Sequence, residues 1–197
     1  MGLLAAIMLA VYLANPFGTA SLDPRARLLG VALYKIPSRS MEPTLQQGDF
    51  ILANAAHYAF ADPQVGDLVV FRFPPQRSIA YVKRIAGIPG DRVRIDGGRL
   101  YVNERPVTEP YLAQQALRQP DSLRMAERTV PAGQYFMLGD NRDNSNDSRY
   151  WGYVPRADLV GRVFAVWYAE DTRRIGRCAD APQKNWVTLI LALRPWL

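Results

Sequence analysis

Two serine side chains, Ser38 and Ser40, lie one residue apart in a segment that runs from Pro37 to Pro43 and Thr44. Proline fixes its own φ and pushes the preceding residue towards extended conformations, so we expect this segment to be rigid and non-helical. A hydroxyl on a rigid path can be aimed, as a nucleophile must be. A polar turn whose serines bond their own backbone would have the same composition. The segment alone leaves both interpretations open.

The chain contains one histidine, His57, and one cysteine, Cys178, which excludes several kinds of site. A Ser-His-Asp triad would have to use His57, which we expect to be an ordinary surface or core-edge residue. A zinc site would need both residues, and neither has a partner at ligand spacing. A single cysteine cannot form a disulfide within the chain, so cysteine usage does not indicate a redox compartment. We expect no metal and no cofactor.

Lysine is rare in this chain, because the 24 basic residues include only Lys35, Lys83 and Lys184. Arginine stays protonated, whereas a buried lysine can lose its proton and act as a base. Lys83 lies in the apolar run 79–88, where strand alternation would place Lys83 and Arg84 on opposite faces. Only one of the two can face water easily, and a solvated strand residue is the other interpretation of Lys83. Lys83 is therefore the candidate base.

The formal net charge of +6 is scattered along the chain among acidic residues. A nucleic-acid surface would usually show a basic patch or an arginine-aromatic stripe, so we expect no nucleic-acid partner. The positive charge favours contact with anionic lipid.

Residues 2–22 carry no charged side chain, and residues 3–14 are almost continuously apolar. A helix over 3–14 would span about 18 Å, against a hydrocarbon core of about 30 Å. Pro16 and Gly18 would break or kink a longer helix. We expect residues 1–22 to be a short membrane anchor or a signal-peptide-like segment. The basic residues follow this segment, which by the positive-inside rule would place the rest of the chain in the cytoplasm.

From about residue 25 the pattern is mostly β, with short apolar or alternating runs separated by Gly and Pro turn signals. Residues 111–128 are polar, and we expect a short helix or no regular structure there. The length suits one all-β domain with a small appended hairpin. The expected division is a main β domain at 30–95 and 131–177, an inserted subdomain at 96–130, and an apolar C-terminal tail at 178–197.

The polar segment 139–149, GDNRDNSNDSR, follows an apolar strand pattern. A calcium loop of the EF-hand kind needs an acidic residue at its twelfth position, where this chain has Tyr150. The mixture of Arg, Asp, Asn and Ser instead indicates an internally bonded loop. Such a loop is rigid enough to position Ser145.

Four segments occur in a fixed order: 37–45 (PSRSMEPTL), 66–71 (GDLVVF), 81–91 (YVKRIAGIPGD) and 139–149. Together they resemble the motif boxes of the type I (bacterial) signal peptidases, membrane endopeptidases with a Ser/Lys dyad. The resemblance covers about residues 34–168. It implies a mostly β fold, with a β-barrel or sandwich catalytic domain, a small inserted hairpin subdomain and a short N-terminal apolar anchor helix.

The resemblance implies that Ser40 is the nucleophile and Lys83 its general base. A serine hydroxyl is a poor nucleophile until a base takes its proton, and a lysine is neutral near pH 7 only when it is desolvated. The oxyanion hole would consist of the Ser40 backbone N–H and the Ser38 hydroxyl.

The resemblance also implies that Ser145 orients Lys83 by a hydrogen bond. Asp147 and Arg149 would form an ion pair that shapes the loop.

The implied substrates are preproteins with small residues at positions −1 and −3 of the cleavage site. The site would lie on the outer, periplasmic side of the cytoplasmic membrane, in contact with lipid, although the basic flank of the anchor argues for the other side. A specialised Ser/Lys processing peptidase of a conjugation or secretion system is the alternative, and a membrane-associated binding module is a further one. The substrate-binding residues implied by the resemblance are Tyr34, Ile36, Met41, Leu45, Ile51, Val70 and Val82.

Overall fold

A computed structural model of the chain describes residues 2–112 and 117–176. The expected C-terminal tail at 178–197 lies outside the described residues. The helices are α1 (Gly2–Ala14), α2 (Pro24–Leu29), α3 (His57–Phe60), α4 (Pro120–Leu123) and α5 (Ser148–Trp151). The strands are β1 (Val31–Lys35), β2 (Phe50–Asn54), β3 (Leu68–Arg72), β4 (Ala80–Gly87), β5 (Arg92–Asp96), β6 (Arg99–Val102), β7 (Arg105–Pro106), β8 (Arg124–Thr129), β9 (Gln134–Leu138), β10 (Val154–Pro155) and β11 (Leu159–Tyr168). Single 3-10 turns lie at Pro110–Leu112, Arg142–Asn144, Arg156–Asp158 and Thr172–Arg174.

The main sheet has seven strands in the order β1-β2-β11-β3-β4-β9-β10, with antiparallel neighbours throughout. The mostly β prediction is confirmed. The expected barrel is wrong for the described strands, because β1 and β10 are edges that each pair on one side and the sheet does not close.

The second sheet has four strands in the order β7-β6-β5-β8. Its apolar side chains pack with those of β4 and β9 in one cluster that includes Ala86, Ile95, Leu100 and Phe136. This sheet lies within the region expected as an insert, and the domain boundaries stay a prediction. Residues 111–128 were expected to form a short helix or no regular structure. The short helix is α4, but Arg124–Thr129 forms β8, which pairs with β5 and buries Met125.

The apolar N-terminal helix is present as α1, and none of its residues is buried. Asn15 and Pro16 follow it directly, as the sequence indicated. Among the residues that the structure describes, no helix has both the length and the apolar character needed to cross a membrane. The expectation that α1 is an anchor is therefore not shown by the structure.

Central strand β3 is buried on both faces, which explains its continuous apolar sequence. Val70 packs in a core with Ile36, Met41 and Leu45, whereas Val69 and Phe71 pack in a second core on the other face. The first core includes side chains from the connection between β1 and β2, so it fixes that connection on the sheet.

Candidate active site

Residues 36–49, which connect β1 to β2, form what we call the nucleophile loop. Its base is closed where Ile36 N donates to Asp49 O at 2.8 Å and Gly48 N donates to Ile36 O at 2.8 Å. The side chains of Met41 and Leu45 point from the loop into the core that contains Val70, which we call the main core. They are 1% and 0% exposed there. Ser40 lies directly before Met41, and its position is therefore set by this packing.

The Ser40 hydroxyl contacts other side chains. Ser38 Oγ and Ser40 Oγ are 3.2 Å apart, and Lys83 Nζ lies 2.6 Å from Ser40 Oγ. The polar-turn interpretation required these serines to bond their own backbone, and no such bond is found among the described residues. The arrangement favours the nucleophile interpretation.

Lys83 lies in β4, between β3 and β9, and its side chain points towards the nucleophile loop. Its register partner on β3 is Val69, and only 3% of the lysine is exposed. Besides Ser40, Lys83 Nζ donates to Val82 O at 3.2 Å. The next residue, Arg84, is also buried, because its guanidinium binds both carboxylate oxygens of Asp140 at 2.9 and 2.7 Å. The sequence allowed only one of these two basic residues to face water easily, and in the structure neither does.

Burial lowers the pKa of Lys83 to about 8, while the charges of Asp147 and Asp140 act in the opposite direction. At its usual pKa of about 10.4 a lysine is almost entirely protonated at neutral pH. With the pKa near 8, roughly one molecule in ten carries a neutral amine at pH 7, since each pH unit changes the ratio tenfold. A neutral Lys83 can accept the Ser40 proton across the 2.6 Å contact.

The polar loop at 139–149 is internally bonded, as its composition indicated. The Arg149 guanidinium binds both oxygens of the Asp147 carboxylate at 2.8 and 2.9 Å, and the Arg149 side chain is 2% exposed. Asp147 also accepts from Gly139 N at 3.0 Å, which ties the end of the loop to its start. Arg149 donates to Arg142 O at 2.6 Å, so the pair fixes the middle of the loop as well.

Gly139 allows this loop to lie against the nucleophile loop. A Cβ at residue 139 would overlap the Ser145 side chain and would come within 2.6 Å of Ser40 O. Asn141 N donates to Ser40 O at 3.1 Å, which joins the two loops directly. A glycine at 139 is thus required by packing next to Ser40.

The structure does not contain the expected hydrogen bond between Ser145 and Lys83. Ser145 Oγ is buried and has no hydrogen-bond partner among the described residues, whereas Lys83 Nζ contacts Ser40 Oγ and Val82 O. Ser145 does line the same cavity as Lys83. Its proposed role is therefore supported by proximity alone.

A cavity of about 750 Å³ opens at Ser40 and Lys83. Its wall includes five of the expected substrate-binding residues, namely Tyr34, Ile36, Met41, Val70 and Val82. Leu45 and Ile51 are not among its lining residues and are fully buried in the main core, so the structure does not bring them to the cavity. Tyr81, Asp143 and Tyr150 line the cavity and were missed, because only the fold brings them there.

The described residues contain no group of His, Cys, Asp and Glu side chains that could hold a metal ion. His57 begins α3 and is not among the cavity-lining residues. The reactive groups of the cavity are the Ser40 hydroxyl and the Lys83 amine. A hydroxyl beside a buried amine can carry out nucleophilic acyl transfer.

Comparison with known proteins identifies a matching family and several relatives. The family profile described as "Signal peptidase, peptidase S26" matches residues 3–168. Signal peptidase I of Pseudomonas aeruginosa is 42% identical over 180 residues, covering 68% of this chain and 63% of that protein. The probable signal peptidase I-2 of Synechocystis is 40% identical over 161 residues, covering 78% of this chain and 70% of that protein.

A crystal structure of a signal peptidase I from Enterococcus faecalis V583 is 33% identical and matches with a TM-score of 0.47, covering 52% of this chain and 97% of that chain. Of the Pseudomonas protein, by contrast, the match spans 63% of the length. The profile match over residues 3–168 and the identity to the Synechocystis protein lead to one conclusion. The chain belongs to the signal peptidase family, peptidase S26.

Proposed function

We propose that this protein is a serine endopeptidase that removes N-terminal signal peptides from secreted preproteins. The observation that carries the proposal is the 2.6 Å contact between Lys83 Nζ and Ser40 Oγ, made by a lysine with a lowered pKa. Relatives named signal peptidase I support the substrate class.

In the proposed reaction, neutral Lys83 accepts the Ser40 proton as Ser40 Oγ attacks the scissile carbonyl carbon. The Ser40 backbone N–H and the Ser38 hydroxyl then stabilise the negative charge on the former carbonyl oxygen. The Lys83 ammonium gives its proton to the leaving amine, which breaks the peptide bond and leaves an ester on Ser40. Water, deprotonated by Lys83, hydrolyses that ester and restores both side chains.

Three further residues, Ser145, Asp147 and Arg149, have proposed supporting roles. The buried Asp147–Arg149 pair holds the polar loop against Ser40, and the charge of Asp147 acts to raise the pKa of Lys83, against the larger effect of burial. Ser145 has a free hydroxyl beside the cavity, which makes it available to the lysine ammonium once that group forms. The site as a whole requires no cofactor for these steps.

The cavity wall suits a peptide with small side chains. Ile36, Met41, Val70 and Val82 supply apolar contacts. The charged residues of the described wall are Lys35, Lys83 and Asp143. We therefore propose preproteins with small residues at −1 and −3 as substrates. The assignment of the expected substrate-binding residues to the −1 or the −3 side chain is likewise part of the proposal.

We further propose that the protein acts at the cytoplasmic membrane, with the site on the outer side. The exposed apolar side chains of α1, such as Leu3, Leu4 and Leu13, would contact lipid. The positive net charge favours anionic headgroups.

The proposal is tested with the purified protein in detergent and a preprotein carrying Ala at −1 and −3. Cleavage is expected at that junction, with the new N-terminus identified by mass spectrometry, and Ser40→Ala should abolish it. Ser78→Ala, a change at an exposed turn, is the matched control and should cleave normally. Cleavage by Ser40→Ala at the wild-type rate, or wild-type cleavage of a substrate with Lys at −1, would exclude the proposed function.

A further inference from the structure

We propose that Arg174 is a positioning residue that holds the C-terminal half of the nucleophile loop, and this inference rests on the proposed function of Ser40. Arg174 lies in the 3-10 turn Thr172–Arg174, after β11 and beyond residue 168, where the family match ends. It is 9% exposed although it carries a charge, and its side chain turns back towards the loop.

The guanidinium of Arg174 joins three points of the nucleophile loop. Nη2 donates to Asp49 Oδ2 at 2.6 Å and to Thr44 O at 3.1 Å, and Nη1 donates to Pro43 O at 3.4 Å. Pro43 and Thr44 follow Ser40 by three and four residues. One side chain therefore connects the segment that follows Ser40 in sequence to the end of the nucleophile loop.

Asp49 makes this contact firm, because the same oxygen that accepts from Arg174 also accepts from Gln46 N at 2.8 Å. Asp49 is 3% exposed, and its backbone oxygen accepts from Ile36 N at the base of the loop. A buried carboxylate of this kind needs a cation, which Arg174 supplies. The pair thus connects the base of the loop to its middle.

Ser40 lies between two sets of anchors. Asn141 holds the near side, since its N–H donates to Ser40 O and its side chain donates to Arg39 O at 3.1 Å. Arg174 holds the far side, together with Thr44 Oγ1, which donates to Asp140 Oδ2 at 2.5 Å. Loss of Arg174 would leave the far side held only by the Thr44–Asp140 hydrogen bond and by the packing of Leu45, so this half of the loop would open more easily.

The contacts call for an arginine in particular. Its planar fork reaches a carboxylate and two carbonyl oxygens at once, whereas a lysine ammonium is a single point with no fork. Arg174 Nε is buried and has no hydrogen-bond partner among the described residues. The desolvation of that group is unfavourable, so the two terminal nitrogens must offset it through their contacts with the loop.

The first test measures amide hydrogen exchange in peptides that cover residues 38–47, in the full chain. Arg174→Met is expected to raise exchange in these peptides at least about tenfold, because opening of the loop becomes easier. Arg173→Met is the matched control, since Arg173 is the neighbouring arginine, is 83% exposed and pairs with Asp171 outside the loop. Unchanged exchange in Arg174→Met, or an equal rise in Arg173→Met, would overturn the proposal.

The second test measures preprotein cleavage by the same variants. Arg174→Met should lower kcat about ten- to a hundredfold with KM within about twofold, because a displaced nucleophile loses reactivity without losing the groove. The pH midpoint should stay that of the wild type, because Lys83 is untouched. The kcat of Arg174→Lys should lie between those of the wild type and Arg174→Met, and the kcat of Arg173→Met should match that of the wild type.

The double variant Asp49→Asn with Arg174→Met distinguishes a role of Arg174 in stability alone from a role in positioning Ser40. This variant leaves no buried charge unpaired. Its melting temperature should recover relative to Arg174→Met, while kcat stays low. Full recovery of kcat would contradict positioning by Arg174. If the wild type and Arg173→Met fail to cleave, the proposed function fails, and the exchange measurement still decides whether Arg174 holds the loop.

Discussion

Lys83 Nζ and Ser40 Oγ lie 2.6 Å apart although the residues are separated by 43 positions in the chain. The serine comes from a loop that is packed into the main core, and the lysine comes from a central strand of the main sheet. The contact therefore depends on the folded sheet, and it places a poor nucleophile beside a base whose burial favours the neutral form.

The lowered pKa of Lys83 predicts the pH dependence of cleavage. Because kcat/KM follows the neutral fraction of Lys83 in the free enzyme, it should rise tenfold per pH unit below about pH 8 and level off above it. The measurement is kcat/KM for a preprotein from pH 6 to 10. A rate independent of pH over that range would contradict a lysine base, as would a midpoint near the usual lysine pKa.

The same pKa predicts how Lys83 affects stability. Between about pH 8 and the usual lysine pKa of about 10.4, the unfolded chain binds a proton at Lys83 that the folded chain lacks. The free energy of unfolding should therefore gain up to about 3 kcal/mol from this group as the pH rises through that window. Denaturant unfolding of wild type and Lys83→Met at pH 7, 8, 9 and 10 isolates the contribution, since Lys83→Met lacks it. Parallel curves for the two proteins would be inconsistent with a depressed pKa.

Ser145→Ala separates two effects of one hydroxyl. Since Ser145 Oγ is buried without a partner, its removal should leave the free energy of unfolding unchanged or raise it by up to about 1 kcal/mol. Cleavage should nevertheless slow, because the proposed contact with the Lys83 ammonium forms during the reaction. The two quantities are measured by denaturant unfolding and by kcat. A clear loss of stability would show that the hydroxyl has a partner in the resting protein, and an unchanged kcat would remove Ser145 from the mechanism.

The Asp147–Arg149 pair should matter far more than a surface pair. Asp147→Asn leaves Arg149 buried without its charge partner, which should cost about 3–5 kcal/mol of unfolding free energy. Asp171→Asn is the matched control, because Asp171 pairs with exposed Arg173 and an ion pair in water contributes little to the free energy of unfolding. Equal losses in the two variants, measured by urea unfolding, would disprove the supporting role of Asp147.

The Ser40–Lys83 pair was expected from the family resemblance, and the rarity of lysine in an arginine-rich chain singled out Lys83 in its apolar run. The sequence also indicated the internal bonding of the loop at 139–149, since Arg, Asp and Asn in one short segment can satisfy each other. Arg84 was harder to interpret, because its burial depends on Asp140, which lies 56 positions later. Leu45 and Ile51 were assigned to the substrate groove, but apolar residues of the wall and of the core have the same chemistry.

The open edges of the main sheet and the place of β8 depend on pairings between distant strands, which no local pattern reveals. The four segments that carry the family resemblance also end before Arg174. The role of Arg174 could be inferred only from the fold, which brings its side chain to Asp49 after β11.

The central claim is that neutral Lys83 takes the proton of Ser40, and Lys83→Arg tests it most directly. Arginine keeps the positive charge but cannot be deprotonated at any working pH. The measurement is the single-turnover rate of preprotein cleavage at pH 8.5, with folding of the variant verified by its melting temperature. A loss of about a thousandfold or more relative to wild type is the predicted result. A rate within tenfold of wild type would contradict the account.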